Sequence, residues 1–81
     1  MELFDDNEIS EFYLKIGQNV KRIRKEKGLS QLELANTIGH SSVALVSKAE
    51  IGTNNKHFNL EHLYKIAKVL EVDLCTLVNV T

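Results

Sequence analysis

Few residues in this 81-residue chain have the chemistry of a reactive centre. His40, His57, His62 and Cys75 are the candidate metal donors, and their spacings match none of the usual zinc patterns. No metal and no cofactor is expected. There is no glycine-rich phosphate loop, and no spacing suggests a nucleophile beside its base. No catalytic residue is assigned, and an enzyme is not expected. The chain does hold a run of cations: Lys21, Arg22, Arg24, Lys25 and Lys27. Such a run either meets an anionic partner or forms a solvated helix end whose charges complement the negative pole of the dipole.

The charge distribution favours the first reading more than the total does. The net charge is −1, but residues 1–11 hold five acids and no base. Residues 12–81 hold ten bases and six acids, a net of +4. The chain therefore divides into an acidic N-terminal extension, 1–11, and a domain, 12–81. One domain of this size has a small core and depends on tight helix packing or on association. No stretch is long and apolar enough to cross a membrane. The N-terminus has no basic region followed by an apolar core, so no signal peptide is expected. A single cysteine excludes an intrachain disulfide. Together these predict a cytoplasmic protein.

The elements that carry the charges are helical. Proline is absent and glycine scarce, which suits an all-α domain. Ile9, Phe12, Tyr13, Ile16, Val20 and Ile23 recur at helical spacing and predict a first helix over about residues 7–27. Asp5, Asp6 or Asn7 can cap it. Gly17 predicts a kink or a break within it. Ser30 and Glu33 fit a capping box for a second helix, with Leu32, Leu34, Ala35 and Ile38 as its apolar face. Gly39 ends that helix by taking a left-handed conformation. Ser41 or Ser42 then caps a third helix over residues 43–50, with Leu45, Val46 and Ala49 inward. His57 and Phe58 plug the following loop onto the core. Asn59 caps a fourth helix, whose apolar face is Leu60, Leu63, Tyr64, Ile66, Ala67 and Leu70. Asp73 caps a short last helix that carries Cys75 as a core or interface residue. Five helices make an orthogonal helical domain.

The order of these pieces resembles a known family. KRIRKEKG at 21–28, LSQLELANTIG at 29–39, VSKAEIG at 46–52 and LEHLYKIAKVLEVDL at 60–74 are similar to the Cro/CI-type, or XRE, helix-turn-helix domain. The likeness runs over about residues 16–77. It departs in three places: the turn between Gly39 and Glu50 is one residue longer than the commonest form, the loop after Gly52 is longer and lacks a proline, and the acidic segment lies outside the family core.

The resemblance implies double-stranded DNA as partner and a regulator of transcription, a repressor, that reads an inverted repeat as a homodimer. In a helix-turn-helix the second helix enters the major groove while the first crosses the backbone. Carried over by position, the base-reading residues are Ser42, Val43, Ala44, Ser47 and Lys48. Small apolar groups at Val43 and Ala44 suit thymine methyls, and Lys48 can donate to guanine. Backbone contacts are expected from Ser30, Gln31, Ser41, Thr53, Asn54, Asn55 and Lys56, with Lys15 joining from the first helix. Arg24 and Glu50 are expected as a buried structural brace. The apolar end of the chain, Leu74, Leu77, Val78 and Val80, with Phe58, is the expected dimer interface. The alternative is an antitoxin or accessory module of the same fold whose main partner is a protein. The negative total charge and weakly polar reading helix fit that alternative.

Overall fold

The computed structural model describes residues 3–39, 42–53 and 56–80. The described residues form five helices: α1 Asp6–Glu26, α2 Gln31–Thr37, α3 Ala44–Ile51, α4 Leu60–Leu70 and α5 Leu74–Val78. Each expected helix is present, and its local chemistry explains where it starts. The Asp5 carboxylate accepts from the Glu8 amide at 2.8 Å and caps α1. Ser30 Oγ accepts from the Glu33 amide at 3.0 Å, and the Ser30 amide donates to Glu33 Oε1 at 2.9 Å. That reciprocal pair is the capping box that the Ser-x-x-Glu pattern encodes. Gly39 takes a φ of +88°, open to glycine and costly to other residues.

α4 starts on the expected Asn59 cap, which His62 completes into a second capping box that sequence reasoning missed. Asn59 Oδ1 accepts from the His62 amide at 2.7 Å, and the Asn59 amide donates to His62 Nδ1 at 3.1 Å. Histidine takes the place of the usual Glu or Gln. Asp73 precedes α5 as expected, but its side chain makes no cap bond. Its carbonyl accepts from the Thr76 amide instead, at 2.9 Å.

α1 neither kinks nor breaks at Gly17: it is one helix of 21 residues. The missing side chain serves packing. A Cβ at Gly17 would collide with the Ala49 carbonyl oxygen and come within 3.1 Å of Glu50 Cα. The backbones of α1 and α3 touch there, as only a glycine allows. Asp6, Glu8 and Glu11 lie in the first turns of this same helix, behind the Asp5 cap.

The core is formed by Ile16, Val20 and Ile23 of α1, Leu34, Ala35 and Ile38 around α2, Val46 and Ala49 of α3, Phe58, α4's Leu63, Ile66, Ala67 and Leu70, and Leu77 of α5. Several expected core positions lie outside it. Leu32, Leu60 and Tyr64 are exposed, as is Cys75. Leu32 sits about 200° round a two-turn helix from Leu34 and cannot share its face. Leu60 opens α4 beyond the reach of the other helices, and Tyr64 lies one turn on with the Lys68 ammonium 5.5 Å from its ring centre. Ile9 and Phe12 continue the inward stripe of α1 past the body of the domain and are both 42 % exposed. Leu45 is only half-buried.

Two expected interface residues belong to the core. Leu77 and Phe58 are fully enclosed by their own chain. The apolar side chain that α5 needs to dock is Leu77, and little of the short helix is left to offer a partner. α5 is tied down by a bond that periodicity could not reveal: Asn19 Nδ2 on α1 donates to the carbonyls of Leu77 and Asn79, both at 2.9 Å.

Candidate nucleic-acid interface

α3 is held from behind by a buried polar network. Arg24 Nε donates to Glu50 Oε2 at 2.7 Å, and its NH2 group donates to Oε1 at 3.1 Å. The same guanidinium donates to the Leu29 carbonyl at 2.7 Å. Gln31 Nε2 adds a bond to Glu50 Oε1 at 3.0 Å. Arg24 and Glu50 are 5 % and 1 % exposed. One arginine thus joins the end of α1, the loop after it and the last turn of α3, with α2 linked through Gln31. Among the described residues no buried side-chain polar atom lacks a partner. A buried carboxylate is tolerated only when paired and bonded in this way.

The network fixes which face of α3 points outward. Val46, Ala49 and Glu50 are buried, while Lys48 and Ile51 are exposed and Ala44 and Ser47 half-buried. Ala44, Ser47, Lys48 and Ile51 lie within about 120° of arc at 100° per residue. The helix begins one residue later than expected. Val43 is its N-cap, without a side-chain bond, and is 36 % exposed. Ser42 Oγ accepts from the Ala44 amide at 3.1 Å and anchors the turn. Ser47 Oγ donates to the Ala44 carbonyl at 3.3 Å and keeps its lone pairs outward. Ile51, overlooked in the sequence, shares the outward face; its exposure depends on α3 running to Gly52 before turning.

The expected backbone residues divide. Ser30 is exposed at the start of α2, and Lys56 is exposed in the loop after α3. Thr53 is half-buried, and its carbonyl accepts from the Lys56 amide at 3.0 Å. Gln31 turns its amide inward to Glu50. Ser41, Asn54 and Asn55 lie outside the described residues, as does His40. Lys15 does not join this surface. It lies about 160° round α1 from Gly17, where α3 packs, and lines a groove with Thr76 and Val80 beside α5.

The loop is anchored by aromatic stacking. The His57 ring lies 3.8 Å from that of Tyr13 at an interplanar angle of 10°. Phe58, next in sequence, is buried. His57 itself stays exposed, so it covers Tyr13 rather than entering the core. Asp6 and Lys56 line one groove together with Gly52 and His57.

Two short helices braced at their rear, the second presenting an uncovered face beside basic side chains, define the helix-turn-helix class. Residues 20–77 match the Helix-turn-helix family model, and the chain belongs to that family, in its Cro/CI-type or XRE form. It is also 40 % identical over 65 residues, 79 % of its length, to the HTH-type transcriptional regulator SinR of Bacillus licheniformis. The match covers 56 % of SinR, so the chain spans about half the length of that curated relative. No helix among the described residues is long and apolar enough to cross a membrane.

Proposed function

We propose that this chain is a DNA-binding regulator of transcription, a repressor, that reads an inverted-repeat operator as a homodimer in the cytoplasm. The observation that carries the reading is α3: its rear is locked by Arg24, Glu50 and Gln31, while Lys48 and Ile51 face out exposed with Ala44 and Ser47 half-buried beside them. A helix held this rigidly and left bare is prepared for a rigid partner, and the major groove admits a helix. In this reading Lys48 donates to base edges, Ser47 accepts from them because its one hydroxyl hydrogen goes to the Ala44 carbonyl, and Val43 and Ala44 meet thymine methyls. Ser42 positions the turn and contributes its hydroxyl. Ser30 and Lys56 contact phosphates, with Thr53 beside them; Ser41, Asn54 and Asn55 complete the set on the strength of the family resemblance. Two copies related by a two-fold axis span half-sites about 34 Å apart. Leu74 and Val78 of α5 and Val80 after it, all half-buried, remain as the contribution of this end of the chain to the dimer surface.

The second reading, a module whose main partner is a protein, draws on the exposed Leu3, Phe4, Ile9 and Phe12. Binding measured against salt separates the two. A DNA complex loses affinity with a log–log slope of about −0.9 per phosphate neutralised. Lys48→Ala should weaken the preferred site by about 1–3 kcal/mol and relax one base position, whereas Lys56→Ala should weaken all duplexes alike and make the slope shallower by about 1. A flat salt response, or no duplex binding at all, supports the protein partner.

A further inference from the structure

One face of α1 is organised in a way that neither the core nor the reading helix uses. Glu8, Glu11, Lys15, Gln18, Arg22 and Lys25 follow one another at alternating steps of three and four, so they form a single stripe. All six are exposed. The stripe lies on the side of α1 away from Gly17, where α3 packs. Its N-terminal end, Glu8 and Glu11, is acidic, and the bases Lys15, Arg22 and Lys25 follow. Among the described residues, Glu8, Glu11, Lys15 and Lys25 make no ion pair within the chain, and Arg22 reaches Glu26 only at 3.9 Å. The stripe borders the groove of about 440 Å³ that is also lined by Thr76 of α5 and by Val80 just after it. It is therefore continuous with the α5 surface assigned to the dimer above.

We propose that a second copy of the chain docks antiparallel along this stripe, an inference that rests on the homodimer reading and specifies its surface. With the two-fold axis between Lys15 and Gln18, Glu11 meets Arg22 of the second copy and Glu8 meets its Lys25. Lys15 faces the second copy's Gln18. Symmetry repeats each contact, as an isologous interface requires. A parallel pairing sets acid on acid and base on base, so the charge order itself selects the antiparallel one. Because the pairs are exposed, salt screens them: the Debye length falls from about 10 Å at 0.1 M to about 3 Å at 1 M.

Charge exchange tests the proposal on the free protein, without DNA. Sedimentation equilibrium is run on the full chain, Glu11→Arg, Arg22→Glu and the double exchange, at about 0.1 M and about 1 M salt. Far-UV circular dichroism checks that each variant keeps its helices. The expected result is a dimer at low salt that weakens at least roughly tenfold at high salt. Each single reversal weakens it by a similar factor, and the double exchange restores it to within about threefold of the parent, as the coupling of two residues in contact requires. A dimer indifferent to salt and to every reversal overturns the α1 pairing and leaves the homodimer standing on another surface. A monomer under all conditions overturns both.

Discussion

Arg24 holds the position of the reading helix through one side chain. Its three bonded contacts, two to Glu50 and one to the Leu29 carbonyl, join segments that share no local contact. Arg24→Ala leaves a buried carboxylate with only Gln31 as partner, and a loss of about 3–5 kcal/mol is expected in urea unfolding. A normal unfolding midpoint for that variant would show that the brace is not structural. Glu33 gives a second, milder expectation. The Ser30 amide, and then the Ser30 hydroxyl, hold its exposed carboxyl below the usual carboxylate range. A carboxylate lowered in the folded state contributes stability that is present above its unfolded value and lost as pH falls through its folded one. The capping box therefore weakens only in acid, and Ser30→Ala should move the Glu33 midpoint upward in an NMR carboxyl titration. This box was legible in the sequence because it spans four residues of one helix. Gln31 was not: its inward turn depends on Glu50, which lies 19 positions away.

At the scale of elements, periodicity located every helix and misjudged what covered them. Leu60 and Tyr64 fit an apolar stripe, yet no neighbour reaches them, because spacing tells which residues share a face and not where the opposing surface ends. Ile9 and Phe12 show the same limit at the start of α1. Gly17 shows the converse. A glycine inside a helical pattern reads as a weak point, but here it lets α1 and α3 touch backbone to backbone at Ala49 and Glu50. Gly17→Ala is expected to destabilise the protein by about 1–3 kcal/mol through overpacking, exceeding the roughly 1 kcal/mol of helix propensity it gains. Thermal unfolding decides the matter, and an unchanged or raised midpoint contradicts the close approach. The late start of α3, at Ala44, likewise follows from a turn anchored by the Ser42 hydroxyl on the Ala44 amide.

For the whole molecule, the total charge of −1 conceals a division that the fold makes spatial. The acids of residues 5–11 occupy the start of α1, while the exposed Lys48 and Lys56 lie on and just after α3. In the proposed function, that separation lets a mildly acidic protein present a basic surface to a polyanion. The central claim is that the outward face of α3 reads sequence in duplex DNA. Its most direct test is selection of bound duplexes from a random pool. Enrichment of one inverted repeat with half-site centres about 34 Å apart, roughly one helical turn, is expected, with loss of preference at one base position on Lys48→Ala. A pool that yields no enriched sequence, or a preferred site read unchanged by Lys48→Ala, would contradict it.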